Sequence, residues 1–111
     1  MRIVYAVNNE SEENRLKNIP QIEILTGCYK GVVETSFIEK INNQDDFNNA
    51  LNYAIRFNQE SVLVIDENNN ATLISLDNGE KITAGVWTKV NSAEGLENYS
   101  IDKNENIFTC L

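Results

Sequence analysis

Ser61-Val62-Leu63-Val64-Ile65, Thr72-Leu73-Ile74-Ser75-Leu76 and Lys81-Ile82-Thr83-Ala84-Gly85-Val86-Trp87-Thr88-Lys89-Val90 follow one another with short polar links between them. Each run is dominated by β-branched and aliphatic residues and is too short and too β-branched for an amphipathic helix, so each reads as a strand. The links carry turn chemistry. Asp66 to Asn70 is a polar hairpin loop, and Asp77-Asn78-Gly79-Glu80 contains the Asn-Gly pair that supplies two positive φ angles for a two-residue hairpin. Tyr99 to Ile101 and Ile107 to Cys110 repeat the arrangement across Asp102 to Asn106. Hairpins in succession predict an antiparallel meander.

Working outward, Arg2 to Val7 reads as an N-terminal strand. A short helix follows over about residues 10–18: Asn9 or Ser11 caps it, Glu12 and Glu13 sit in its first turn, Arg15 and Lys17 in its last, and Pro20 closes it. Gln21 to Leu25 and Val32 to Ile38 are strand-like. They are joined through Thr26-Gly27-Cys28-Tyr29-Lys30-Gly31, whose glycines permit a tight turn or a close backbone approach. Residues 44–58 are the clearest helix, with Phe47, Leu51, Ala54, Ile55 and Asn58 on one stripe and Ala50, Tyr53 and Phe57 beside it. Asn43 is its expected cap, with Asp45 and Asp46 favoured by the helix dipole. The expected architecture is α+β: an antiparallel-rich twisted sheet of about six to eight short strands, one main helix (44–58) on one face and the short N-terminal helix, all in a single domain over residues 1–111.

Charge narrows the functions. With 17 acidic and 9 basic residues among 111, the net charge is −8, which repels phosphate backbones and argues against direct nucleic-acid binding. The basic residues are scattered, so no patch is expected to hold an anionic membrane. The N-terminal apolar run is too short for a signal-peptide core and no window could span a bilayer, so a cytoplasmic location is expected. Cys28 and Cys110 lie far apart among apolar neighbours, as packed thiols in a reducing compartment, although the sequence leaves a pairing between them open. Asparagine occurs 18 times, a bias that AT-rich coding produces in low-GC bacteria and their phages.

The chain contains no histidine, which excludes imidazole-based triads and histidine metal sites. No phosphate-binding glycine motif is present. No catalytic residue, metal or cofactor is expected from this inventory. Asp66, Asn68, Asn70 and Asp77 copy calcium-loop spacing, but Ala71 replaces the turn glycine and the flanks are strands, so a hairpin loop explains them better. Trp87, Tyr5, Phe37, Phe47, Tyr53 and Phe57 read as core. One set of polar residues at element ends is harder to explain as packing: Asn8, Asn14, Arg15, Tyr29, Lys30, Glu34, Ser36 and Gln59 form the candidate ligand-binding set, with hydrogen-bonding struts as the alternative.

The succession Ala6-Val7-Asn8, Glu13-Asn14-Arg15, Gly27-Cys28-Tyr29-Lys30-Gly31, Glu34-Thr35-Ser36-Phe37-Ile38 and Phe57-Asn58-Gln59-Glu60-Ser61 resembles a group of small uncharacterised bacterial and phage proteins. Val7 departs from the aromatic residue of that pattern, and the likeness covers residues 5–76. The resemblance implies no activity and singles out Asn8, Asn14, Glu34, Ser36 and Gln59. Together these readings favour a small acidic, non-enzymatic binding module, encoded by a phage. It would inhibit a host defence protein or sequester a small ligand. A small nucleotide would require Arg15, Tyr29, Lys30 and Arg56 to converge. The alternatives are a small enzyme using Glu34 with Lys30, Tyr29 or Cys28, and an assembly protein associating through an exposed sheet edge. Oligomeric state is not legible.

Overall fold

The computed structural model describes residues 1–7, 10–16 and 18–111, the side chains of Glu10, Glu12 and Arg15 excepted. Its elements are β1 (Arg2–Ala6), α1 (Glu10–Leu16), β2 (Ile22–Tyr29), β3 (Val32–Lys40), α2 (Gln44–Arg56), β4 (Ser61–Ile65), β5 (Asn70–Ser75), β6 (Lys81–Val90), β7 (Asn98–Ile101) and β8 (Ile107–Cys110). The strands form a closed antiparallel barrel in the order β1-β3-β2-β7-β8-β6-β5-β4.

Closure corrects the expected α+β twisted sheet: the molecule is mostly β, and its sheet has no free ends. The hairpins are local and legible, but the ring depends on four long-range pairings. β1 pairs with β3 on one side and β4 on the other, β2 pairs with β7, and β6 skips β7 to pair with β8. A closed ring satisfies every ladder and leaves no edge strand. The edge-to-edge association expected of an assembly protein therefore has no edge to use among the described strands.

Two turns differ from expectation. β2 runs straight through Gly27, and the chain reverses at Lys30-Gly31, both at positive φ (50° and 82°), between the paired Tyr29 and Val32. That is the primed two-residue geometry whose twist matches a hairpin. The Asn78-Gly79 link is not such a turn. Only Gly79 takes positive φ, Leu76 donates to the Glu60 carbonyl, and the reversal runs over residues 76–80. The Asp66 loop is a hairpin held from within: its carboxylate accepts the backbone N–H groups of Asn68 and Asn70 at 2.8 and 2.9 Å. These bonds hold the exposed Asp66 carboxyl below its ordinary pKa. Asp102 is bonded to Asn104 and Asn106 in the same way.

α2 begins where expected, with the Asn43 side chain accepting the Asp46 N–H at 2.9 Å. Its buried stripe is rotated from the expected one. Ala50 and Ala54 face the barrel with Phe47, Leu51 and Tyr53 beside them, whereas Ile55 is 58% exposed. Beneath the helix, Ile3, Tyr5, Ile22, Phe37 and Val62 of the barrel wall pack with Leu16 of α1 and Phe57. Tyr5 meets Phe37 edge-on at 6.0 Å and stacks on Phe57 at 6.4 Å. The alternate residues of the same strands point into the lumen, where Leu25, Ile65, Ala71 and Trp87 form a second core with Val4, Ile38, Leu63 and Phe108. No described helix is long and apolar enough to cross a membrane.

A carboxyl lies inside the outer core. Glu39 is 2% exposed and accepts the Tyr5 hydroxyl at 2.9 Å. Burial pushes its pKa up, against the hydrogen bonds from Tyr5 and Gln21, and the Asp46 carboxylate adds to the rise. Burial and Glu39 together also drive the Tyr5 phenol far above its ordinary value. A carboxyl whose folded-state pKa is raised stabilises fully below the unfolded-chain value of about 4.3, and that contribution is lost as pH rises through the folded value. Glu39→Gln is therefore expected to raise Tm at pH 7 by a few degrees and to flatten the loss of stability that sets in as pH rises above about 4.3, from pH 4 to pH 7. Thermal melts of both proteins across that range check it.

Candidate functional site

The lumen is filled at one end and open at the other. The open end is a cavity of about 870 Å³ to which every strand of the barrel contributes. Eight strands enclose a space that side chains can just fill or that can hold one small ligand, and the difference is decided by residue size. Here the inward positions near the opening are small: Ala6 on β1, Gly27 on β2, Ser36 on β3, Ser61 on β4 and Ser100 on β7. Their neighbours in register are Ala6 opposite Ser36, and Gly27 between Glu34 and Ser100. Gly27 is packed to its limit, since a Cβ there would lie 2.9 Å from Ser36 Oγ.

The floor of the cavity is aromatic. Trp87 and Phe108 stack with ring centroids 5.3 Å apart and planes 7° from parallel, and Cys110 sits opposite Trp87 across the β6–β8 ladder. The rim is polar, with Tyr29 and Glu34 from the β2–β3 hairpin, Gln59 and Glu60 after α2, and Glu97 and Asn98 at the start of β7. The segment leading into β7 is fastened across the hairpin tip. The Lys30 N–H donates to the Glu97 carbonyl at 3.1 Å and to Asn98 Oδ1 at 3.0 Å. Thr109 Oγ1 donates to the Asn98 carbonyl at 2.8 Å.

Of the residues proposed from sequence, Tyr29, Glu34, Ser36 and Gln59 line this cavity. Gln59 is also a strut, its Nε2 donating to the Phe57 carbonyl where α2 ends. Lys30 lies outside, lining a neighbouring groove on the outer wall with its ammonium 5.4 Å from the centre of the Tyr29 ring. Asn14 is exposed on α1 and does not line the cavity. Asn8 and the Arg15 side chain fall outside the described residues. Arg56 stands 5.8 Å from the Tyr53 ring on α2 and is not a lining residue, so it does not join Lys30 and Tyr29 as a nucleotide clamp would need. Ser61, Ser100, Glu97, Asn98 and the Trp87–Phe108 floor were not anticipated as cavity residues. Small polar residues at inward strand positions were the available signal, but it becomes readable only once register is known.

Neither cysteine is in a disulfide. Cys28 points to the outer wall beside Tyr99, and their hydrogen bond raises the pKa of the Tyr99 phenol. Burial raises that of the Cys110 thiol. Among the described residues no group of three or more carboxylates and thiols is placed to hold a metal ion.

The architecture is a small β-barrel with an open, aromatic-floored cavity at one end. A family model extends this. Residues 5–111 match the S-adenosylmethionine lyase family, and the chain belongs to that family. A search of curated proteins gives no match to the chain. Membership in a lyase family overturns the expectation of a non-enzymatic module acting on a host defence protein. The alternative of a small enzyme fits better.

The thiols offer a direct check of the cavity floor. Because only the thiolate reacts, Cys110 is expected to label more slowly than Cys28 with a thiol reagent near pH 8. Cys28→Ser should remove the fast phase and leave the slow one, as followed by absorbance and intact mass.

Proposed function

We propose that the chain is a lyase that cleaves S-adenosylmethionine within the open end of the barrel. The observation that carries this reading is the cavity of about 870 Å³, with a stacked aromatic floor and Glu34 among the polar residues of its rim. The volume is in the range of pockets that enclose a nucleoside-sized ligand, and a lining of apolar walls with a few polar groups is typical of such sites. Aromatic faces suit both the adenine ring and the positive sulfur. The name of the family to which the chain belongs supports this substrate and reaction class.

The chemistry asks little of the protein. The sulfonium is already an activated leaving group: when a carbon–sulfur bond breaks, its electron pair returns to sulfur and a neutral thioether departs. The electron-poor carbon is then satisfied within its own fragment, by loss of a neighbouring proton to a base or by closure of the substrate's own carboxylate onto it. Neither route requires an acid to protonate the leaving group. Holding the flexible amino-acid chain in one reactive shape and keeping water from it are what the small-walled cavity supplies.

Purified protein is expected to consume S-adenosylmethionine without an added acceptor and to release a neutral adenosyl thioether, read by chromatography. Gly27→Ala places a methyl against Ser36 and narrows the cavity. It should lower kcat/KM by about tenfold or more, as misplacements on the ångström scale do, with Tm within a few degrees of the parent. Failure of the unmodified protein to consume the substrate at any concentration would falsify the reading.

A further inference from the structure

β6 and β7 are neighbours in sequence but not in the sheet, because β8 lies between them. Val90 ends β6 beside Ile107, whereas Asn98 begins β7 beside Tyr29 at the open end, so residues 91–97 carry the chain back along β8 to the mouth of the cavity. This strap is lightly held. Five of its seven residues are exposed, and only Ala93 and Leu96 are half-buried. Up to Leu96 its hydrogen bonds are internal among the described residues: the Glu94 N–H donates to Ser92 Oγ at 3.1 Å and the Leu96 N–H to the Ala93 carbonyl at 3.0 Å. Its fastening to the barrel comes at the far end, where the Glu97 carbonyl and Asn98 Oδ1 share the single N–H of Lys30.

Packing does not lock the strap either. Leu96 and Glu97 line both the cavity of about 870 Å³ and the groove of about 760 Å³ on the outer wall. A side chain in a close-packed core has nowhere to go, but Leu96 has space on each side. Gly95 immediately before it has φ 80°, a conformation that glycine enters and leaves freely. A segment with few buried contacts and an exposed backbone opens at low cost.

We propose that residues 91–97 are a gate on the open end of the barrel, with Leu96 as its plug and the shared Lys30 N–H as its latch, swinging between the cavity mouth and the outer groove. Leu96 turned toward the cavity narrows the mouth, and Leu96 turned into the groove widens it. Because one donor serves both acceptors, its loss frees Glu97 and Asn98 together. The catalytic consequence rests on the S-adenosylmethionine reading of the same cavity, where closure keeps water from the bound substrate. The motion itself does not require that substrate.

Cys110 lines the cavity and reports on the path into it. In a Cys28→Ser background it is the remaining thiol, and an irreversible reagent labels it at a rate set by the fraction of time the path is open. Labelling by N-ethylmaleimide at fixed pH is followed by intact mass, with Tm as the check on folding. Asn98→Ala should raise the rate about two- to tenfold, the change in open population that loss of one hydrogen bond produces. Asn98→Asp, which keeps an acceptor for the Lys30 N–H, should return the rate to within about twofold of the background. Leu96→Ala should raise it as well, and adding Asn98→Ala to Leu96→Ala should add little, because the latch then has no plug to hold. Should Asn98→Ala fail to fold, the Leu96→Ala rate decides alone. An unchanged rate in folded Leu96→Ala and Asn98→Ala, or full additivity of the two, overturns the gate. Consumption of S-adenosylmethionine is measured on the same samples. Labelling that responds as expected in a protein that does not cleave the substrate keeps the gate and removes the lyase reading, whereas cleavage with unresponsive labelling removes the gate alone.

Discussion

Barrel closure through β1 is the constraint on which the rest of the molecule depends. A five-residue strand, Arg2–Ala6, is hydrogen-bonded to β3 on one side and β4 on the other, and so joins the N-terminal hairpin to the meander of β4, β5 and β6. The β2–β7 pairing completes the ring from the opposite side. Once the ring is closed, its strand number fixes how much space it encloses, and side-chain size decides whether that space is core or cavity. Leu25, Ile65, Ala71 and Trp87 fill one end, whereas Gly27, Ser36, Ser61 and Ser100 leave the other open. The candidate site is thus the unfilled part of the core, its walls held by backbone ladders.

β1 also carries opposite duties on its two faces. Ile3 and Tyr5 point outward into the layer beneath α2, whereas Val4 and Ala6 point into the lumen and the cavity. The outer layer contains the buried Tyr5–Glu39 pair, a polar bond within an otherwise aromatic and aliphatic cluster. A buried carboxyl costs stability in its charged form, but its hydrogen bond to Tyr5 tolerates only one arrangement of β1 against β3. Tyr5 faces Phe37 in register, and Glu39 lies two residues further along the same strand. A slip of one residue would invert both faces and leave the carboxyl without its phenol.

Much of the local structure was legible because its causes are local. The Asn43 cap, the Asp66 and Asp102 hairpin loops and the strand runs from Ser61 to Val90 rest on residue types acting within a few positions of themselves. The α+β sheet was the wrong architecture because closure is a non-local event, and nothing in Arg2 to Val7 distinguishes a strand with two partners from one at an edge. Ile55 was placed on the buried stripe because periodicity fixes a helix face only to within a residue or so. The buried side of α2 is set by where Phe57 and Tyr5 meet. Among the cavity-lining residues, Tyr29, Glu34, Ser36 and Gln59 stand out in the sequence because polar residues beside strand ends are conspicuous. Gly27 was noticed only as a possible turn or close approach, and of its two roles the structure gives the second to Gly27 and the first to Gly31.

The absence of histidine is a weak argument against membership of a lyase family. Imidazole is valuable where a reaction must move protons near neutrality, above all onto a poor leaving group. A sulfonium leaves as a neutral thioether and needs no proton, so the usual demand for a general acid does not arise. A reaction of this kind is governed by which conformation of the substrate is bound and by how well water is kept away, and both are properties of cavity shape. Gly27, Ser36, Ser61 and Ser100, with no shared motif and no perturbed titrating group to announce them, are the kind of residues that can set such a shape. On the proposed reading, catalytic capacity in this fold resides in the volume left by small side chains around an aromatic floor. An inventory of reactive groups taken from the sequence passes over it.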